Sequence, residues 1–113
     1  MTGGAETKRG WTMIKLCRLI KRREGMTKQE FADWWLRDHA PRAVALEGLK
    51  RYQIDLSVGE EEAPWDGMAE LWFDSVESMA AAFETDLGKE LAADSTAHAS
   101  ERNGIVVEEH PVF

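Results

Sequence analysis

The sequence is poor in residues that crosslink or interrupt a chain, with one cysteine, Cys17, and three prolines among its 113 residues. A single cysteine cannot form a disulfide within the chain, and such sequences are typical of reducing compartments. No segment approaches the roughly 18 consecutive apolar residues that a membrane-spanning helix needs. Residues 1–10 also lack the apolar core of a secretory signal peptide. We therefore expect a cytoplasmic protein with no membrane partner.

Basic residues are also scarce, since 14 Lys and Arg stand against 21 Asp and Glu, for a formal net charge of −7. Nucleic-acid binding needs a dominant basic surface, so we expect no nucleic-acid partner and interpret the short run Lys21–Arg23 as a solvated strand end. Residues 1–53 carry 12 Lys/Arg against 6 Asp/Glu, whereas residues 54–113 carry 2 against 15. We expect these oppositely charged halves to pair within one fold.

The composition is that of an ordinary globular domain, with 43% apolar and 31% charged residues. A chain of this length supports one hydrophobic core. We expect a mobile N-terminal tail over residues 1–11 and a single domain over residues 12–113.

Four segments have the composition of β-strands. Met13–Ile20 carries apolar residues on both faces, which predicts a strand covered on both sides. Apolar and polar residues alternate in Gly48–Val58. In Gly67–Phe73 we expect Ala69, Leu71 and Phe73 on one face and Met68, Glu70 and Trp72 on the other. The last segment, Ile105–Phe113, contains Pro111, which indicates an edge position or a strand end.

The first helix is predicted from its start signal. Thr27–Glu30 fits a capping box, in which the two side chains satisfy each other's backbone N–H groups. Pro41 disfavours helical geometry at Ala40, so we expect the helix to end or kink there. Three residues at i, i+4 and i+8 share one stripe of this helix: Phe31, Trp35 and His39.

A second helical region follows the third strand. Asp74–Glu77 is a candidate capping box, and Thr85–Gly88 indicates an interruption. Asn103–Gly104 predicts the end of this region. Its second half has a helical stripe formed by Leu87, Leu91, Asp94 and His98.

The order strand, helix, strand, strand, helix, strand predicts an α+β fold of the ferredoxin-like, split βαβ type. Such a chain forms a four-stranded antiparallel sheet with both helices on one face. The other face carries apolar residues, among them Met68 and Trp72, that need a covering layer. A second copy of the same sheet would supply it, so we expect a homodimer with two sheets packed face to face.

Several stretches, in this order and spacing, resemble the EthD family of dimeric α+β barrel proteins. The resemblance covers nearly all of residues 12–113. It is carried by Gly25–Thr27 with Phe31 and Trp35, then His39–Pro41, Gly48–Tyr52, Asp66–Ser75 and Val106–His110.

This resemblance implies a dimeric barrel of ferredoxin-like subunits. The family takes its name from an association with ethyl tert-butyl ether degradation. Related dimeric barrels resemble lactone isomerases, polyketide cyclases and cofactor-free oxygenases, so the fold is indicated while the reaction is left open.

Four residues are candidate catalytic groups. His39 lies on an apolar helical stripe, and imidazole transfers protons near neutral pH, although a histidine at a helix end can also satisfy free carbonyls. Tyr52 suits a pocket wall with one hydroxyl, or a strand core position with a wet tip. Glu70, flanked by apolar neighbours, is an acid or base with a raised pKa, or half of a salt bridge across the dimer. Asp94 could orient an imidazole, or lie at the solvent boundary of its helix.

Aromatic residues predict the ligand class. Phe31, Trp35 and Trp72 are candidate ligand-binding residues for a small apolar or aromatic compound, although core filling explains them equally well. The histidines lack the spacing of metal ligands, and no phosphate or dinucleotide loop is present. We therefore expect no metal and no cofactor.

Two functional hypotheses follow. The first is a cofactor-free enzyme that uses His39 to transfer a proton on a small carbonyl compound, in isomerisation, cyclisation or oxidation. The alternative is a non-catalytic dimer that binds or protects a hydrophobic ligand. A buried His39 that lines a pocket and contacts a polar partner would favour the enzyme.

Overall fold

The computed structural model describes residues 13–59 and 62–113, and the predicted tail over residues 1–11 lies outside this part. The strands are β1 (Ile14–Arg22), β2 (Arg51–Leu56), β3 (Gly67–Phe73) and β4 (Ala99–Glu108). The first helical run consists of α1 (Lys28–Asp33), a π-helical segment (Trp34–His39) and α2 (Ala40–Ala43). The second consists of α3 (Val76–Glu84) and α4 (Asp86–Ala97).

The strands form one antiparallel sheet in the order β2-β3-β1-β4. In its register Leu16 lies opposite Leu71 and Val106, and the neighbouring Cys17 lies opposite Glu70 and Ile105. Because side chains alternate along a strand, these two rows occupy opposite faces of the sheet. The four-stranded antiparallel sheet and the two helical regions confirm the predicted α+β fold.

The helices pack on the face that bears Leu16, Ile20 and Leu71, which belong to the hydrophobic core. Trp35 reaches this face closely because residue 67 is glycine. A Cβ atom on Gly67 would lie 2.7 Å from Cζ3 of Trp35 and 2.6 Å from the carbonyl oxygen of Asp55. The absent side chain therefore sets how deeply the first helical run packs against the sheet.

The predicted capping box begins the first helical run. The Thr27 hydroxyl accepts a hydrogen bond from the Glu30 backbone N–H at 3.0 Å, and the Glu30 carboxylate accepts from the Thr27 N–H at 2.9 Å. This reciprocal pair satisfies two N–H groups that have no partner within the helix.

Of the two outcomes expected before Pro41, an end or a kink, the end of the helix is wrong. Ala40 keeps helical dihedrals of −61° and −42°, and the run continues to Ala43. A proline ring normally clashes with the carbonyl four residues earlier, here that of Arg37. In the π-helical turn each N–H reaches one residue further back, as Ala40 does to Trp35. This wider turn accommodates the ring, so the sequence continues as helix through the proline.

The second helical region differs from the prediction at its start. Its cap is Ser75, whose hydroxyl accepts from the Ser78 N–H at 3.0 Å, rather than Asp74. The predicted interruption is confirmed at Thr85, which ends α3 and caps α4 through its hydroxyl and the Gly88 N–H.

The predicted end of the second helix at Asn103–Gly104 is also wrong. The helix ends at Ala97, and these two residues lie inside β4. Strand β4 therefore starts earlier than the predicted Ile105–Phe113 and ends at Glu108. Asn and Gly favour helix ends and turns in general, but pairing with β1 overrides that local preference here.

The oppositely charged halves of the chain do pair, as predicted. Ion pairs join Lys15 to Glu70 at 3.5 Å and Lys50 to Asp74 at 3.7 Å. A buried pair joins Arg22 to Asp66, whose carboxylate also accepts from the Arg22 backbone N–H at 2.8 Å. The middle of the basic run is therefore anchored to the second half rather than solvated. Within the described residues, no helix is long and apolar enough to cross a membrane.

We predict that Asp66→Ala destabilises the fold by about 3–5 kcal/mol, because it leaves the buried guanidinium of Arg22 without this carboxylate. Urea denaturation measures the change. The matched control is Asp74→Ala, which removes a largely exposed partner of Lys50 and should change stability by no more than about 0.5 kcal/mol. Equal effects of the two variants would contradict the importance of the buried pair.

Candidate functional site

An apolar cavity of about 410 Å³ lies between the sheet and the helices. The core face of the sheet and both helical regions contribute to its walls. Its apolar lining includes Leu16, Ile20, Trp35, Leu46, Leu71, Met79, Phe83 and Leu91. Its polar lining consists of Arg18, His39, Tyr52, Glu84, Ser95 and Arg102. A volume of this size and character suits a small apolar or aromatic molecule.

His39 lies at the end of the π-helical segment and is only 7% exposed. Its Nδ1 atom lies 2.8 Å from Oδ2 of Asp94 on α4. Its Nε2 atom lies 3.4 Å from the hydroxyl of Ser95, which also lines the cavity. The structure thus brings two predicted site residues, His39 and Asp94, into direct contact at the cavity wall.

Asp94 is held by several donors from the first helical run. Oδ2 accepts from Trp34 Nε1 at 3.0 Å and from Arg42 Nη2 at 2.7 Å, in addition to its contact with His39. Partial burial pushes the pKa of Asp94 upward, but the hydrogen bonds from His39 and Trp34 and the charge of Arg42 outweigh it. The pKa of Asp94 therefore lies below its usual range, and the group is a carboxylate at neutral pH.

An ionised Asp94 determines the protonation of its neighbour. A carboxylate can only accept hydrogen bonds, so Nδ1 of neutral His39 carries the proton and Nε2 is the basic nitrogen. Burial lowers the pKa of His39, while the hydrogen bond and charge of Asp94 act in the opposite direction without cancelling it. Neutral imidazole is consequently the form present at pH 7.

Tyr52 faces the same cavity from β2. Burial raises the pKa of its hydroxyl to about 12, so the group remains protonated and able to donate a hydrogen bond. Trp35, 1% exposed, forms part of the cavity wall.

The remaining predicted site residues lie elsewhere. Phe31 is 1% exposed and packs behind the cavity wall, with its ring centroid 5.2 Å from that of Trp35. Glu70 and Trp72 lie on the outer face of the sheet, away from His39. Burial and the neighbouring Asp55 raise the pKa of Glu70, although the charge of Lys15 opposes this.

Trp72 is enclosed by charged groups on that outer face. The guanidinium carbon of Arg51 lies 4.4 Å from its ring centroid, and the Lys15 ammonium lies at 5.0 Å. The indole N–H donates to Glu109 at 3.0 Å. These contacts account for its burial without a ligand.

Sequence reasoning missed several residues of the cavity. Arg18 and Arg102 contribute its positive charges. Arg18 carried a signal, because it lies between the core residues Leu16 and Ile20 on the same face of β1. Ser95 lies in the cavity one helical turn after Leu91. Arg42, outside the cavity lining, lies three residues after His39 and donates to Asp94. Both spacings could have been noticed in the sequence.

Metal binding finds no support in the described part of the chain. Among residues 13–59 and 62–113, no group of three or more His, Cys, Asp and Glu side chains is arranged to hold a metal ion.

Comparison with known proteins decides the family. The EthD domain matches residues 23–101, which is more than half of the chain. This chain belongs to the EthD family. A crystal structure of an EthD-family protein from Bacillus halodurans C-125 is 30% identical, with a TM-score of 0.75 over 87% of this chain and 99% of that one. No functionally curated protein matches this EthD-family chain.

More distant structures share the fold alone. A dimeric ferredoxin-like protein of unknown function from Thermobifida fusca YX is 13% identical, with a TM-score of 0.72 over 87% of this chain and 92% of that one. The hydroxynitrile lyase from Passiflora edulis is 14% identical, with a TM-score of 0.73 over 89% of this chain and 96% of that one. The EthD-family chain therefore has the ferredoxin-like fold.

We predict that His39 titrates below the usual histidine pKa of about 6.5, because burial disfavours the imidazolium ion. Asp94→Asn should lower this pKa further, since it removes the carboxylate that stabilises the charged form. NMR titration of the histidine ring protons measures both values, and His39→Gln assigns the signal.

The matched control is Asp38→Asn. Asp38 also raises the pKa of His39, but only through its charge and more weakly than Asp94 does. Its side chain is 63% exposed. A shift in Asp38→Asn as large as that in Asp94→Asn would contradict a specific His39–Asp94 pair.

Proposed function

We propose that this EthD-family protein is a cofactor-free enzyme that transfers a proton on a small apolar or aromatic carbonyl compound bound in the cavity. The observation that carries the proposal is the buried contact between His39 and Asp94 at the cavity wall. A histidine oriented by a carboxylate in an apolar pocket is a recurring general-base arrangement.

In this reaction Nε2 of His39 removes a proton from the carbon next to the substrate carbonyl. The C–H electron pair forms the enolate double bond, and the carbonyl π electrons move onto oxygen. The protonated Tyr52 hydroxyl donates a hydrogen bond to that oxygen as negative charge develops. In an isomerisation the imidazolium then returns the proton to a different carbon of the conjugated enolate, which regenerates the carbonyl. In a ring closure the enolate carbon instead attacks a second carbonyl of the substrate, whose π electrons move onto oxygen, and the imidazolium gives its proton to that alkoxide oxygen.

Asp94 acts as a positioning residue in this scheme. It holds His39 in the tautomer with a free Nε2 and stabilises the imidazolium formed during proton transfer. Trp34 and Arg42 hold Asp94 in turn through its Oδ2 atom. The hydroxynitrile lyase from Passiflora edulis is an enzyme with this fold, which is consistent with a catalytic role. Shared fold does not assign the lyase reaction to this protein.

We predict that the protein accelerates hydrogen–deuterium exchange at the carbon next to the carbonyl of small aryl ketones or lactones. Proton NMR in D₂O with phenylacetone and 3-isochromanone measures the exchange. His39→Ala should slow it by about 100-fold or more, the usual contribution of a general base. The matched control is His110→Ala, because the side chain of His110 is 77% exposed.

Exchange that persists in His39→Ala would contradict this role. Saturable binding of the same compounds without any exchange would instead favour the alternative, a non-catalytic dimer that binds hydrophobic ligands. The apolar character of the cavity suits either outcome, so the exchange rate discriminates between them.

We also propose that two subunits pack through the outer faces of their sheets. That face carries Cys17, Leu19 and Met68, and Ile105 next to them is 62% exposed. Burial of such a face against a second copy would remove apolar surface from water. Glu70 would then lie at or near the interface. There it would serve as an acid or base with a raised pKa, or form an ion pair with the partner subunit.

We predict a dimer in sedimentation velocity experiments at micromolar concentration. Ile105→Glu should shift the protein towards monomer, because it places a charge in the apolar contact. Val44→Glu is the matched control, since Val44 is equally exposed, at 62%, but follows α2 on the helical side. A folded wild-type monomer at this concentration would refute the proposed dimer.

A further inference from the structure

Two arginines project from the sheet into the apolar cavity. Arg18 on β1 and Arg102 on β4 both line it, and Arg102 lies opposite Ile20, two residues from Arg18. Gly104 lies directly opposite Arg18. A Cβ atom at this glycine would come within 3.0 Å of Arg18 Nη1 and 3.3 Å of its Cζ. The glycine therefore leaves room for the guanidinium group above the sheet.

Neither arginine has a carboxylate partner in the described part of the chain. No hydrogen bond or ion pair there involves the Arg18 guanidinium, and that of Arg102 donates only to the Thr96 hydroxyl, at 3.2 Å. Arg102 Nε is the buried side-chain atom of this region that lacks any hydrogen-bond partner. Glu84 also lines the cavity, but no ion pair within 4.0 Å joins it to either arginine among the described residues.

The positive charges of the two guanidinium groups also repel each other. Burial lowers the pKa of both arginines, and the charge of Arg18 lowers that of Arg102 further. Two cations without counterions in an apolar cavity are costly, and a bound anion would relieve the cost. A guanidinium group matches the geometry of a carboxylate, to which it can donate two parallel hydrogen bonds.

We propose that the cavity takes substrates that carry a carboxylate, which Arg18 and Arg102 bind while the apolar body lies towards Trp35 and His39. A single negative charge fits better than a phosphate dianion, because Glu84 contributes its own negative charge to the lining. This inference rests on the proposed function for its choice of site, and it adds the substrate class: a small apolar or aromatic keto acid or lactone acid.

The test compares two probes of nearly equal shape, 2-naphthylacetate and 2-naphthylacetamide, by isothermal titration calorimetry with the full chain. Wild type should bind the carboxylate about tenfold or more tightly than the amide, as expected for charge-assisted hydrogen bonds. Arg18→Gln and Arg102→Gln should each remove most of this preference, because they weaken binding of the carboxylate far more than binding of the amide. Arg51→Gln is the control, because Arg51 lies over Trp72 on the outer face.

Thermal unfolding separates a ligand-binding role from a structural one. Without ligand, Arg18→Gln and Arg102→Gln should have an equal or higher Tm than wild type, because each removes a partly buried charge without a counterion. A fall in Tm with loss of binding to both probes would assign the arginines to the fold and overturn the proposal. Using both variants keeps the test valid if one fails to fold.

The outcomes also distinguish this inference from the proposed function. Equal binding of the two probes to wild type, failure of both to bind, or a preference that survives both substitutions would overturn the carboxylate class. Proton exchange on neutral ketones could still depend on His39 in those cases. Conversely, His39→Ala should keep the preference for naphthylacetate, even if no exchange is ever observed.

Discussion

The site depends on one carboxylate, that of Asp94. It lies on α4 and accepts hydrogen bonds from Trp34, His39 and Arg42, all of which belong to the first helical run. These bonds join the two helical regions over the cavity. They also offset the cost of partly burying a charge, because hydrogen bonds to an ionised group are stronger than neutral ones. The same interaction therefore holds the helices together and sets the tautomer of His39.

The π-helical segment makes this arrangement geometrically feasible. In a regular α-helix, residues five apart point about 140° away from each other, since each residue turns the helix by about 100°. Trp34 and His39 are five apart, yet their ring centroids are 4.9 Å apart and both side chains bond the same oxygen of Asp94. The wider π-helical turn brings them to one side and also accommodates Pro41. The π-helical segment therefore ends at His39, the residue for which we propose proton transfer.

Sequence patterns predicted the elements of the fold well but only part of the site. Alternation and the Thr27 cap identify the strands and the first helix, because these are local preferences that the tertiary structure retains. Asn103–Gly104 misled the prediction, since its local preference yields to pairing with β1. Arg18 was missed although it lies between Leu16 and Ile20 on one face of β1, because β1 carries apolar residues on both faces and strand pattern alone did not show which face lines a cavity. His39 and Asp94 were predicted separately, but their contact joins residues 55 positions apart and depends on helix packing.

The charge distribution along the chain bears on the two cavity arginines. Residues 54–113 contain 15 acidic residues and only two basic ones, Lys89 and Arg102. Lys89 is exposed, whereas Arg102 lines the cavity. In so acidic a segment a structural arginine has many carboxylates available, yet among the described residues Arg102 contacts only a threonine hydroxyl. Elsewhere in the fold, Lys15, Arg22, Arg42 and Lys50 all find acidic partners from this segment. Arg102 differs from these four residues because it lies in the cavity lining, where a bound carboxylate would supply the partner that the chain does not.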